Sequence, residues 1–288
     1  MFIVPLLQQT ETLKLLFSLY FGILKNPSST PLLPAALHGI SKFGHLVNID
    51  FFKDLLQVLK DLISREVTQE RDLMNGLPGD ALVIGHRLLC IVTAFELLSG
   101  QGAPRILFSS TMLMFLCRIG EALNIDLTDF TSGLYAIILQ LSLMNDIESV
   151  PFSTSGDASS ENRPSLADML FQALDIILSP RTSGSAGPPS RYAAFAKRLL
   201  SASLHWPPAT VLRTIDFVRG LIAKTPKLEA MLSTEDRIFD GIYRPDVDDP
   251  QLCCAFGTCF WELHILQKAH WHAKVREEAG KLLNFSRG

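Results

Sequence analysis

Apolar residues recur at helical spacing along most of this 288-residue chain, and strand-like alternation is nearly absent. Leu13, Leu16, Phe17, Tyr20, Phe21 and Leu24 follow Thr10 at i, i+3, i+4, i+7 spacing, the mark of a helix with one buried face. Asn26-Pro27-Ser28-Ser29-Thr30 interrupts that pattern, and Pro31 to Val47 resumes it. Asn48-Ile49-Asp50 offers capping side chains for a helix carrying Phe51, Phe52, Leu55, Leu56, Val58, Leu59, Leu62 and Ile63. Ala81 to Ser99 predicts a strongly apolar helix ending at Gly100-Gln101-Gly102. Further helices are expected from Leu127-Thr128-Asp129 through Leu141, and over Ser165–Leu178, Arg191–Leu204, Pro208–Ala223, Gly257–Lys268 and Trp271–Leu283. The Ser/Gly/Pro-rich stretches Ser149–Pro164 and Ser179–Ser190 read as mobile surface loops.

Helices paired through short breaks, about every 40 residues, point to an all-α solenoid of antiparallel helix pairs, HEAT- or armadillo-like. The repeats share no clear signature, so a compact irregular helical bundle stays open as the alternative. Residues 1–66 form an N-terminal helical region, the polar stretch 67–80 a linker, and 81–288 a second helical-repeat region.

Composition narrows the function classes. Apolar residues make up 48% and charged residues 19%, with a mean hydropathy of +0.24. Such a chain either buries much of itself or holds apolar surface for a partner. A net charge of −3 supplies no global field toward nucleic acid or anionic lipid. Five cysteines, an odd number set in apolar patterns, suit a reducing compartment. The N-terminal Met1–Leu7 lacks a basic segment, and the apolar run from Ile106 to Ile119 is too short to span a bilayer, so a soluble intracellular protein is expected.

Catalytic and metal motifs fail on spacing. Cys253, Cys254, Cys259, His264, His270 and His272 contain no C-x2-C pair. On one helix, Cys259 and His264 would point about 140° apart. Asp246, Asp248 and Asp249, with Glu235, Asp236 and Asp240, lack the order of a calcium loop; capping, or pairing with Arg237 and Arg244, fits them better. No phosphate-binding loop, nucleophile elbow or H-E-x-x-H occurs. His38, His45 and His86 lie in helical patterns as structural residues. No catalytic residue, cofactor or metal is therefore expected. Lys268, His270, His272, Lys274, Arg276 and Lys281 form a modest basic zone diluted by Glu277 and Glu278, which reads as a solvated helix face.

Phe256, Phe260, Trp261, Leu263, Ile265 and Leu266 would wrap nearly the whole circumference of a short helix. That helix either plugs the solenoid end or docks a partner. The partner-binding residues expected from this region are Tyr243, Arg244, Trp261 and Leu263.

Four segments carry a resemblance: Leu33–Phe52, Arg87–Gly102, Glu121–Phe130 and Asp249–His264. With them the chain resembles the CCAAT-binding-factor domain family, and specifically the C-terminal part of one nucleolar member. The resemblance implies a helical-repeat protein of the nucleus and nucleolus, a non-enzymatic factor in assembly of the large ribosomal subunit and in rRNA processing. It implies pairing with nucleolar complex-associated protein 2 on pre-60S particles, with no membrane and no small-molecule substrate. A role in DNA replication initiation, with chromatin or origin-binding proteins as partners, is the alternative. Direct sequence-specific DNA binding is suggested only by the family's name, and the acidic balance opposes it. The scaffold reading expects little RNA affinity from the chain alone.

Two departures from the family pattern stand out. Its long basic N-terminal part is absent, so the chain reads as a fragment, as a truncated gene model, or as dependent on a partner for nuclear import. Ala103 to Gly120 also intervenes where relatives run from Ser99-Gly100-Gln101-Gly102 into Glu121-Ala122-Leu123. The segment 103–120 is expected to be an insertion: an intron read through, or a lineage-specific addition. Sequencing the transcript distinguishes them, and a spliced message lacking these codons is the expected result.

Overall fold

The structure, a computed structural model, describes residues 3–26, 32–44, 53–63, 81–99, 128–144, 146–150, 164–178, 188–233 and 241–285. Among these residues the regular elements are all helical: α1 (Ile3–Lys25), α2 (Leu33–Phe43), α3 (53–63), α4 (Ala81–Ser99), α5 (Thr128–Leu141) and α6 (Leu166–Ile177). They continue with α7 (Pro189–Ser203), α8 (Pro208–Lys224), α9 (Trp261–Ala269) and α10 (Ala273–Leu283), plus 3-10 turns at Pro226–Met231 and Ala255–Gly257.

Helix starts follow local chemistry. Ser165 and Asp168 make a capping box on α6: the Asp168 N–H donates to Ser165 Oγ, and the Ser165 N–H donates to Asp168 Oδ2. Hydrogen bonds from Arg213 hold the Asp168 carboxyl below the usual aspartate range. Prolines sit in the first turns of α2, α7 and α8, where a missing N–H costs nothing.

Packing runs from neighbour to neighbour. The first helix meets α2, α2 meets α4, and α4 meets α5 and α6; α5 then meets α7, α7 meets α8, and α8 meets α10, which pairs with α9. This is an all-α helical-repeat solenoid, each layer burying the apolar face of the one before. One continuous core includes Leu37, Ile40, Leu88, Ile91, Leu134, Ile138, Leu170, Leu174, Leu199 and Ile215.

Polar ties fix the layers in register. Trp206 Nε1 donates to the Leu141 carbonyl at 2.9 Å, and Thr210 Oγ1 to Glu148 at 2.8 Å. Arg87 donates to Gln140 at 2.7 Å and Gln172 to Glu96 at 2.7 Å.

Some boundaries differ from the sequence expectation. The first helix starts at Ile3, upstream of Thr10, and α7 starts at Pro189 rather than Arg191. The last starts at Ala273, because Trp271 and His272 form a corner before it. The stretch Ser149–Pro164, expected as a mobile surface loop, is anchored at its beginning, as are the residues just before it. Ile147 is fully buried, and the Ile147 and Ser149 carbonyls accept from the Ala167 and Leu166 N–H groups. The caps at Asn48-Ile49-Asp50 and Gly100-Gln101-Gly102, the linker 67–80 and the insertion 103–120 lie outside the described residues.

Burial grades the expected effect of substitution. Leu170 is fully enclosed, so Leu170→Ala should cost about 2–5 kcal/mol. Leu143 is 68% exposed, so Leu143→Ala should change stability by no more than about 0.5 kcal/mol. Urea unfolding midpoints of the two variants check the contrast.

Candidate partner-binding surface

Two adjacent cations in α7 build the C-terminal surface. The segment Ala193-Ala194-Phe195-Ala196-Lys197-Arg198-Leu199-Leu200 is buried throughout. Its small alanines let neighbouring elements approach closely. Lys197 and Arg198 thus occupy core positions, 1% and 3% exposed.

Lys197 Nζ donates to Glu262 Oε2 at 2.8 Å and to the Cys259 carbonyl at 2.7 Å. Glu262 is itself fully buried, and Ser201 Oγ also donates to it. The ammonium sits 4.7 Å from the Trp261 ring centroid and 5.8 Å from that of Tyr243. Burial pulls the Lys197 pKa below the ordinary lysine value, while the charge and hydrogen bond of Glu262 pull it back. A buried pair like this loses several kcal/mol per ion in desolvation, so its net contribution to stability is small. Its geometric consequence is firm: α9 can dock only where Glu262 reaches Lys197.

Arg198 holds the segment before α9. Its Nη1 donates to the Tyr135 carbonyl at 3.0 Å and to Asp248 at 2.9 Å; its Nη2 donates to the Pro245 and Val247 carbonyls at 2.8 and 3.0 Å. The guanidinium lies 3.5 Å from the Tyr135 ring centroid. Tyr135 Oη donates to Cys253 Sγ at 3.5 Å, and burial pushes the Cys253 thiol up. The segment doubles back on itself, the Arg244 N–H donating to the Cys253 carbonyl at 2.9 Å. Cys254 takes a left-handed φ of 51°, and Gly241 a φ of 100°. A Cβ at Gly257 would collide with the Gly241 carbonyl, so glycine is required at that crossing.

The four sequence-predicted residues separate. Tyr243 is half-buried, its hydroxyl pushed up to about 12 by burial. Arg244 is exposed and pairs weakly with Asp246 at 3.4 Å, as the sequence expected for these acids. Trp261 is 44% exposed. Leu263 is a correction: it is fully buried with Leu266 and faces the core, so it offers nothing to a partner. Nor is the Trp261 helix buried all round. It begins at Trp261 rather than Gly257 and exposes Trp261, His264 and Ile265 on its outer side. Cys259 therefore precedes the helix that carries His264. Among the described residues no three His, Cys, Asp or Glu side chains converge as metal ligands, and no helix is long and apolar enough to cross a membrane.

Lys197, Arg198 and Glu262 were not singled out from the sequence. A signal was present: each is a charge at a helical register position otherwise held by core residues.

The segment before α9 that Arg198 holds, the strap, and the α4–α10 stack coincide with a known domain, since residues 87–279 match the CBF/Mak21 family. The chain belongs to the CBF/Mak21 family. It is 33% identical over 274 residues to the Homo sapiens nucleolar complex protein 3 homolog, covering 95% of this chain and 28% of that protein. It is 34% identical to the Danio rerio homolog with the same coverage. Against Saccharomyces cerevisiae nucleolar complex-associated protein 3 it is 31% identical over 90% of this chain and 36% of the yeast protein. The chain thus spans about a third or less of the length of these CBF/Mak21 relatives.

The buried pair yields a thermodynamic cycle. Lys197→Met or Glu262→Leu alone leaves one buried charge unpaired and should cost about 3–5 kcal/mol. The double variant should recover most of that loss, as read from urea midpoints.

Proposed function

We propose that this chain is part of a non-enzymatic scaffold for large (60S) ribosomal subunit assembly and rRNA processing in the nucleolus. It acts there as a heterodimer with nucleolar complex-associated protein 2, on pre-60S particles. The observation that carries this reading is the match of nearly the whole chain to proteins named for a nucleolar complex. Physical support comes from the solenoid itself, which offers a long surface built from local packing. The buried charges Lys197, Arg198 and Glu262 direct their hydrogen bonds to backbone and to partners within the fold: Lys197 to Glu262, Arg198 to Asp248, with Ser201 also donating to Glu262, a structural use rather than a catalytic one.

The partner face is the outer side of α9 with the adjacent strap. Trp261 and Ile265 stand one helical turn apart, 44% and 45% exposed, and Ile242 is 86% exposed beside Tyr243 and Arg244. Aromatic and arginine anchors of this kind dominate interface energetics.

Affinity purification from growing cells, with salt-resistant partners identified by mass spectrometry, tests the proposal. The expected result is recovery of nucleolar complex-associated protein 2 with large-subunit precursor proteins. Combining Ile265→Asp with Arg244→Glu should lower that recovery at least about tenfold while leaving the unfolding midpoint unchanged. Origin-binding or helicase-loading proteins recovered without ribosomal precursors would replace this reading with the replication alternative.

A further inference from the structure

Trp271 stands at the corner between α9 and α10 with 75% of its surface exposed. The corner is braced from beneath. Arg276 Nη1 donates to the His270 carbonyl at 2.7 Å and to the Trp271 carbonyl at 2.9 Å. The His272 N–H donates to His270 Nδ1 at 3.1 Å, which leaves that nitrogen an acceptor. The His270 ring lies within 18° of parallel to the indole, centroids 6.0 Å apart, and the His272 ring stands edge-on at 5.5 Å. The turn is thus braced, and the indole lies beside two imidazoles while much of it stays open to solvent.

The acids near this corner dilute the basic zone by pairing with Lys281, as the sequence implied, and Glu278 also draws a cation from another helix. Glu277 and Glu278 were expected to dilute the basic zone. In the folded chain, Glu278 receives Arg219 at 2.7 Å and Lys281 at 2.8 Å, and Glu277 receives Lys281 at 2.8 Å. Hydrogen bonds from Lys281 and Arg219 hold the Glu278 carboxyl below the usual glutamate range. Glu262, the acid on α9, is buried against Lys197. Lys268 and Lys274, three residues either side of Trp271, are exposed, and Arg276 lies under the turn.

We propose that this corner is a stacking platform for single-stranded RNA, with one base on the Trp271 indole and Lys268 and Lys274 toward the flanking phosphates. A protein-binding tryptophan is characteristically ringed by contacts that exclude water, whereas this one is flanked by two imidazoles and exposed cations. Base stacking on an aromatic ring combined with local positive charge is the chemistry of sequence-tolerant single-strand binding. The proposal departs from the sequence expectation of little RNA affinity. It does not depend on the partner proposed above, because the α9 face and the Trp271 corner involve different residues.

The test is fluorescence anisotropy of the full 288-residue chain with a fluorescein-labelled single-stranded oligouridylate of about 12 nucleotides at low salt. Binding is expected, weakened about 5- to 150-fold by Trp271→Ala and largely retained in Trp271→Phe. Lys274→Ala should reduce the salt dependence by about one phosphate contact. Unchanged unfolding midpoints, required of each variant, separate lost binding from lost fold. No binding by the parent chain, or equal binding by Trp271→Ala, would overturn the proposal. So would a Trp271→Ala variant that binds RNA normally but loses a protein partner in purification, which would make the corner a protein contact.

Discussion

The buried Lys197–Glu262 ion pair is the interaction on which the C-terminal half depends. Both groups sit in a core that excludes water, so each makes the other tolerable. An apolar pair of similar volume would stabilise the fold at least as well, but it would dock α9 through non-directional contact. The charged pair admits one arrangement. It brings Glu262 inward, turns Trp261 and Ile265 outward, and seats the Lys197 ammonium over the indole.

Arg198 extends that logic by one residue. Its guanidinium takes carbonyls from Tyr135, Pro245 and Val247 and the carboxylate of Asp248, so a segment without regular structure is held to α5 and α7. A loop carrying several backbone groups inward needs such a donor, because unpaired buried carbonyls are costly. Lys197 and Arg198 point to different partners because successive residues on a helix are about 100° apart. Two neighbouring positions therefore organise two separate elements.

The two surfaces proposed for recognition share a construction. Each carries a large aromatic beside a cation that binds backbone: the Lys197 ammonium lies over the Trp261 ring and donates to the Cys259 carbonyl, and Arg276 braces the turn of Trp271 through the His270 and Trp271 carbonyls. Pre-fixed aromatics lose little conformational freedom on binding, which suits a scaffold that assembles by contact.

Much of the layer structure was legible from the sequence, because helical periodicity is a local property. Leu134, Ile137, Ile138 and Leu141 mark the buried face of α5 by spacing alone, and Pro208 marks the start of α8. The outcome at residues 241–272 was not legible in this way. Phe260, Trp261, Leu263, Ile265 and Leu266 look equally apolar in the chain, yet Leu263 is enclosed while Ile265 is 45% exposed. Hydropathy cannot say which side of a short helix faces inward when a buried lysine 65 residues earlier decides it. Likewise Glu277 and Glu278 dilute the basic zone in composition, and only the approach of Arg219 from α8 adds a partner from outside their own helix. The sequence by itself determined most of the helices, and its resemblance pointed to the family, while solenoid and bundle both stayed open. Tertiary structure alone decided which charges are enclosed, which are cancelled and which aromatics remain open, because those outcomes depend on partners distant in the chain.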